Sequence, residues 1–155
     1  MSKAIRHQLT GSADIEECAL LTFPQGLPGF EAYHRWALAG DEESVIRWLL
    51  CADDAHVALP VTDPLLVDPG YSPHLPTEAL NEVGAGSREE VVLLAVLVLP
   101  RGGCPWRGTA NLLAPLVIQP ETRLGRQVVL AEDRYRILTP LLSEEEIARI
   151  EGGRP

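Results

Sequence analysis

The chain has 155 residues, 46% hydrophobic and 23% charged, so it can bury the core of one domain and is too apolar to be disordered. Its net charge of −9 disfavours direct binding to nucleic acid and suits a basic protein partner. Three widely spaced cysteines without a CxxC pair give no support to a zinc ribbon or a redox motif. The most apolar run, VVLLAVLVLP, has about half the length of a membrane helix, and no signal peptide is visible, so we expect a cytoplasmic protein.

Short segments rich in Val and Leu, bounded by Gly, Pro or Asp, predict β-strands. In chain order the predicted strands are 18–23, 34–39, 45–51, 57–62, 91–99, 110–118, 127–130 and 135–138. The segment 91–99 is apolar on both faces, which indicates a central strand. This spacing of turn signals favours an antiparallel sheet over β-α-β units. We therefore expect a mostly β protein: a single, small, antiparallel β-barrel-like domain over 1–155, with its core in 18–142.

Two short helices are predicted. The segment 76–84 has Thr77 as a possible N-cap and Gly84 as a stop signal. The segment 143–151 has Ser143 as N-cap and Glu146 three residues later, which is the capping-box pattern. Its acidic first turn suits the helix dipole.

The segment TFPQGLPGFEAY, at 22–33, raises the question of a phosphate-binding loop. It lacks the Lys of a P-loop, and its prolines lack the N–H groups that would face phosphate oxygens. A rigid joint is the preferred interpretation. In it, Phe23 ends a strand, Phe30 packs back on the core, and Gly26 and Gly29 supply backbone angles that other residues resist.

The segment CADDAH, at 51–56, places a thiol, two carboxylates and an imidazole within six residues. One hypothesis is therefore a small metal- or thiol-dependent enzyme. The preferred interpretation is a hairpin in which Asp53 and Asp54 form the turn, so that Cys51 and His56 do not converge. Further along the chain, Asp63 directly precedes a proline, a pattern typical of a carboxylate bonded to nearby backbone.

The segment TANLLAP, at 109–115, places Thr109 and Asn111 on one face of a strand, and Pro115 marks an edge or a bulge. These small polar side chains can satisfy the backbone of a neighbouring loop, or the edge can receive a partner's strand. The first interpretation is preferred.

Five motifs, in this order and spacing, resemble the FliW family of flagellar assembly factors: LTFPQGLPGFE, VTDP, TANLLAPLVI, RLGRQVVL and YRILTPL. The resemblance runs from about residue 20 to 142. The positions that match the family's motifs and have an expected structural role are Gly26, Pro28, Gly29, Phe30, Asp63, Pro64, Pro115 and Gly125.

The resemblance implies a β-barrel-like protein without enzymatic activity, cofactor or metal. It implies binding to the translational regulator CsrA, which relieves repression of flagellin translation, and binding to flagellin as the competing partner. A purely structural flagellar module is the alternative. We expect partners to contact exposed positions on the loop 100–108, the strand after it, the segment RLGRQ and the C-terminal helix. These positions are Trp106, Thr109, Asn111, Arg123, Glu145 and Glu146.

Overall fold

The computed structural model describes residues 2–7, 11–16, 20–27, 29–41 and 43–152. The strands in this part of the chain are β1 (Ser2–His7), β2 (Gly11–Glu16), β3 (Leu21–Thr22), β4 (Arg35–Ala39), β5 (Arg47–Cys51), β6 (Ala58–Thr62), β7 (Val92–Val98), β8 (Thr109–Ala110), β9 (Leu116–Gln119), β10 (Leu124–Gln127) and β11 (Thr139–Pro140). The α-helices are α1 (Pro64–Val67), α2 (Thr77–Glu82) and α3 (Glu144–Gly152), and short 3₁₀ helices lie at Arg88–Glu90 and Pro105–Arg107. No helix among these residues has the length and apolar character needed to cross a bilayer.

The sheet closes on itself. Strands β3 to β6 follow one another as antiparallel neighbours, β6 pairs with β7, and β7 pairs with β9. Strand β10 joins β9 to β3, and its pairing with β3 is the one parallel pairing within the described strands. The result is a seven-stranded barrel, which confirms the predicted mostly β, barrel-like fold. Strands β8 and β11 extend the sheet from the far end of β7, and β1 and β2 form a separate hairpin that the sequence patterns did not predict.

The barrel interior is filled by aliphatic side chains around two large aromatic residues. Trp36 and Phe23 are completely buried, and Leu49 and Leu116 pack in the same cluster. In β5, Leu49 and Cys51 both belong to this cluster, because alternate side chains of a strand point to the same face. The close approach of Phe23 to the backbone of Gly125 decides the packing here: a Cβ at Gly125 would lie 2.5 Å from the ring carbon Cε2.

The predicted strand 110–118 is wrong as a single strand, because β8 and β9 are separated by a bulge at 111–115. The Oδ1 of Asn111 accepts the N–H of Ala114 at 2.9 Å, which turns the chain out of the ladder. The carbonyls of Leu113 and Pro115 then accept N–H groups from the segment 127–130. This bridging explains why β10 ends at Gln127, where the sequence patterns place the start of a strand.

Three further boundaries differ from the predictions. The segment 135–138 forms no strand, and β11 follows at 139–140. The ring of Tyr135 packs edge-on against Tyr71, with centroids 4.6 Å apart. The N-cap of α2 is Pro76 and not Thr77, since the carbonyl of Pro76 accepts the first helical N–H groups. Helix α1 was not predicted. Of the first predicted strand, only the part from residue 20 lies in the described residues, where β3 forms.

Candidate protein-interaction surface

The loop 100–108 connects β7 to β8 at one end of the barrel. Gly102 and Gly103 have φ angles of +97° and +83°, which favour glycine. The 3₁₀ helix after them carries Trp106, whose side chain is partly buried. The loop ends at Gly108, whose carbonyl accepts the N–H of Leu141 at 3.1 Å. The loop is thereby fixed against the segment that leads into α3.

A single carboxylate joins this loop to α3. The Oε2 of Glu151 accepts Trp106 Nε1–H at 2.9 Å and Arg107 Nε–H at 2.6 Å, and its Oε1 accepts Arg107 Nη2–H at 2.7 Å. The hydrogen bond to Glu151 raises the pKa of Arg107. A bidentate contact of this kind fixes the orientation of the two side chains as well as their distance. The loop 100–108 and α3 therefore form one continuous surface, called here the loop–helix surface.

The capping box predicted for α3 is confirmed. Ser143 N–H donates to Glu146 Oε1 at 3.0 Å, and Glu146 N–H donates to Ser143 Oγ at 3.1 Å. The bond from the Ser143 backbone holds the pKa of Glu146 below its ordinary value. Ile147 is buried and attaches the helix to the body, while the side chain of Glu145 is 89% exposed. The Glu146 carboxylate thus caps the start of the helix, and the neighbouring Glu145 side chain lies in solvent.

A row of Val, Thr and Pro side chains borders the loop–helix surface. Val98, Thr109 and Pro140 are cross-strand neighbours on β7, β8 and β11, so their side chains lie on the same face of the sheet. Val98 is 59% exposed, Thr109 is half-buried and Pro140 is exposed. The structure therefore brings Trp106, Thr109 and the α3 glutamates to one end of the barrel.

Two of the predicted contact positions do not belong to this surface. The side chain of Asn111 is used inside the bulge, as the preferred interpretation of its segment expected. Arg123 lies in the turn between β9 and β10, with φ +62° and its carbonyl accepting the N–H of Thr22. That turn is at the other end of β7, about 20 Å from Val98 at 3.3 Å per residue. Arg123 and the loop–helix surface therefore cannot meet the same small patch of a partner.

The motif positions have structural roles. Gly26 has φ +67°, and a Cβ there would lie 2.6 Å from the Cα of Glu31, so only glycine fits. Gly29 has φ +87°, and Pro28 lies outside the described residues. The ring of Phe30 stands edge-on to Trp36, with centroids 6.1 Å apart, which is the predicted packing back on the core.

The other motif positions support turns and close packing. Asp63 Oδ1 accepts Leu65 N–H at 2.9 Å and caps α1, and Pro64 occupies its first turn. This carboxylate–backbone bond confirms the role predicted for Asp63. Pro115 is fully buried in the bulge, and Gly125 contacts the Phe23 ring.

The segment 51–56 forms the hairpin turn between β5 and β6. Asp54 Oδ1 accepts the N–H of His56 at 2.9 Å, and Asp53 forms an ion pair with Arg35 at 3.1 Å. Cys51 is buried at the end of β5, and burial raises the pKa of its thiol. Among the described residues, no three His, Cys, Asp or Glu side chains are grouped to hold a metal ion. The contacts given for this segment are thus those of a turn, for Asp53 and Asp54, and of the core, for Cys51.

Comparison with known proteins identifies the family. A sequence model described as "FliW protein" matches residues 4–141. The chain belongs to the FliW family. It is 42% identical over 136 residues to the flagellar assembly factor FliW of Thermotoga neapolitana, which covers 87% of this chain and 90% of that protein. It is 39% identical over 137 residues to the corresponding protein of Symbiobacterium thermophilum, with 85% and 96% covered.

A solved structure extends this match to the fold. The crystal structure of the flagellar assembly factor FliW superposes with a TM-score of 0.82 at 26% identity, and covers 92% of this chain and 99% of that one. These similarities confirm the family resemblance carried by the five motifs. They also identify the chain as a flagellar assembly factor.

Sequence patterns missed the two residues that organise the loop–helix surface. Arg107 and Glu151 are 44 residues apart, and neither belongs to a motif. The available signal was an acidic residue in the last turn of α3, where the helix dipole favours a cation. An unfavourably placed carboxylate of this kind indicates a basic partner elsewhere in the fold.

Proposed function

We propose that this protein is a non-enzymatic, cytoplasmic flagellar assembly factor that binds CsrA and thereby relieves repression of flagellin translation. Flagellin binds as the competing partner, so that free flagellin releases CsrA. The family of the chain supports this proposal at the level of flagellar assembly. The partners come from the resemblance of its motifs.

The observation that carries the proposal is the loop–helix surface. The first turn of α3 presents Glu144 and Glu145 to solvent, next to the loop 100–108, which carries a partly buried tryptophan bonded to α3. Aromatic residues held in this way are common energetic centres of protein interfaces, and charges around them set orientation and association rate. An acidic rim suits CsrA, which is a basic RNA-binding protein.

Co-elution tests the proposal directly. The full chain is mixed at micromolar concentration with CsrA and, separately, with flagellin from the same organism, and the complexes are resolved on a sizing column. We expect co-elution with each partner, and displacement of CsrA when flagellin is added. If neither partner co-elutes, the proposal is wrong.

A matched pair of charge reversals tests the surface. Glu145→Lys places a positive charge on the acidic rim without removing a structural contact beyond the 4.0 Å pair with Arg149. We expect affinity for CsrA to fall about tenfold at low salt and the difference to shrink at high salt. Glu121→Lys makes the same charge change in the turn at the opposite end of β7 and serves as the control. Equal effects of the two variants would show that net charge, and not this surface, determines binding.

The enzymatic alternative has little support in the geometry of the segment 51–56. A nucleophilic thiol must be deprotonated, whereas burial raises the pKa of Cys51. The Asp53 carboxylate is held by Arg35 through an ion pair and by the backbone N–H of His34.

A purely structural role in flagellar assembly predicts a different result. In that case the chain binds flagellin, but CsrA stays on its RNA when the chain is added. A gel-shift assay with the flagellin leader RNA separates the two roles.

A further inference from the structure

A groove of about 560 Å³ opens between α1 and the first half of β7. Residues Leu65 and Leu66 of α1 form one wall, and 91–94 form the other. Both leucines are exposed, at 50% and 56%, and Val92 on the facing wall is 49% exposed. Apolar side chains therefore line both rims of an open channel.

The wall formed by β7 is an open strand edge. Strand β7 pairs with β9 at 92–94 on one side, but on the other side β6 pairs with it only at Ala95 and Val96. β6 ends because Asp63 and Pro64 start α1, and a proline has no N–H group for a ladder. On the side of β6, the first half of β7 thus lies along the groove without a strand partner in the described residues. Such an edge is a template for a strand from another chain.

A cation with an unsatisfied donor lines the same groove. The Nε of Arg47, at the start of β5, is buried and has no hydrogen-bond partner in the described part of the chain. Buried donors in proteins are normally paired, so an unpaired one marks a place for an acceptor. Arg88 also lines the groove, and its Nη1 donates to the carbonyl of Val91 at 3.2 Å.

Two carboxylates line the groove as well. Asp63 uses one oxygen to cap α1, and Glu43 lies on the exposed rim. Neither forms an ion pair with Arg47 among the described residues. Among the described residues, no acceptor therefore meets this Nε, and the Arg47 side chain lines the groove.

We propose that the groove binds an extended segment of a protein partner, which adds as a strand to the open edge of β7. The segment carries an Asp or Glu that pairs with Arg47, and apolar side chains at alternate positions that contact the rims. Backbone hydrogen bonds supply affinity and the two kinds of side chain supply specificity, as in other cases of strand addition. The groove lies at the opposite end of β7 from the loop–helix surface, so this site does not depend on which partners bind there.

Peptide display on the full chain tests the proposal without knowledge of the partner. A library of random linear peptides is selected in parallel on the natural chain and on Arg47→Met, which keeps the aliphatic stem and removes the guanidinium. We expect the natural chain to enrich peptides with one Asp or Glu flanked by apolar residues at alternate positions. The variant should lose the acidic preference. No enriched sequence family on the natural chain, or the same acidic preference on both proteins, would overturn the proposal.

The best peptide is then measured by fluorescence anisotropy. Changing its acid to the amide should weaken binding to the natural chain about tenfold or more and leave binding to Arg47→Met unchanged, because the lost contact is a charged hydrogen bond. Arg101→Met, the same change at an exposed arginine of the loop 100–108, is the control and should bind like the natural chain. Val92→Asp is a second groove variant at an exposed position and should repel the acidic peptide.

Strand addition has its own signature. Amide NMR signals at 92–94 should shift when the peptide binds, and those of these amides that point away from β9 should become protected from exchange. N-methylation of alternate peptide amides should abolish binding. Binding that shifts only amides of α3 or of the loop 100–108 would place the peptide elsewhere and refute the groove.

Discussion

The contact between Gly125 and Phe23 gives the sharpest test of how the barrel is built. A Cβ added to Gly125 would lie 2.5 Å from Cε2 and 2.6 Å from Cζ of the Phe23 ring. The ring is completely buried among Trp36 and Leu116, so it cannot swing away. Gly125 has no positive φ angle, so alanine is compatible with its backbone and the clash is the only strain.

The cost of Gly125→Ala follows from two opposing effects. Overpacking of a well-packed core costs about 1–3 kcal/mol. Replacing glycine by alanine returns about 0.4–1 kcal/mol by restricting the unfolded chain. We therefore expect the free energy of unfolding to fall by about 1–2 kcal/mol. For a domain of this size the melting temperature should drop by roughly 2–8 °C.

Urea unfolding followed by tryptophan fluorescence measures this change. Gly70→Ala is the matched control, because Gly70 is exposed and its added Cβ would lie 3.5 Å from the nearest atom, an ordinary contact. It should change stability by less than about 0.5 kcal/mol. In the double variant with Phe23→Leu, the smaller side chain relieves the clash. The double variant should therefore lose less stability than the sum of the losses of the two single variants. Full stability of Gly125→Ala, or strict additivity with Phe23→Leu, would refute the packing argument.

Three other substitutions or treatments have defined outcomes. Phe30→Ala should lower the free energy of unfolding by about 2 kcal/mol, which is less than for a fully buried ring because Phe30 is only partly buried. Urea unfolding measures this loss, and co-elution should show that partner affinity is intact. Unchanged stability with lost binding would show instead that the loop is an interface. Iodoacetamide at neutral pH should modify the partly exposed Cys104 before the buried Cys51, whose thiol pKa is raised by burial, and peptide mass spectrometry separates the two sites. The His74 N–H and Arg134 hold the pKa of Glu132 below its ordinary value. The contribution of Glu132 to stability is therefore fully present above the unfolded pKa of about 4.3, and it is lost as the pH falls through the lower pKa of the folded state. Melting temperatures in that acidic range should therefore fall less steeply for Glu132→Gln, and identical slopes would contradict the assignment.

The central strands could be predicted because their patterns are local. β4, β5, β6 and β7 lie inside the predicted segments, since each is a run of Val, Leu or Trp bounded by turn residues. The capping box of α3 needed only Ser143 and Glu146, three residues apart. In each case the residues that decide the structure are neighbours in the sequence.

The errors occur where a distant segment decides the outcome. The run 110–118 is apolar enough for one strand, yet the side chain of Asn111 accepts a backbone N–H within the bulge. The N–H groups of the segment 127–130 then bond the carbonyls of the bulge. The clamp between Arg107 and Glu151 joins positions 44 residues apart, which no local pattern contains. Arg123 and Trp106 were both expected contact positions, whereas they lie at opposite ends of β7.

Most residues that carry the family resemblance hold joints of the fold, and only a few of them, such as Asp63 and Thr109, also border the proposed interaction surfaces. Gly26, Gly125 and Asp63 hold joints of the barrel, and two of the motifs meet where the Phe23 ring packs on Gly125. A match at such positions identifies the fold strongly, because a change at any of them strains the backbone or the core. Partner contacts face weaker steric demands, since an exposed glutamate such as Glu145 can be exchanged without moving the chain. Sequence similarity consequently assigns the family first, and the surfaces at the two ends of β7 have to be read from the geometry.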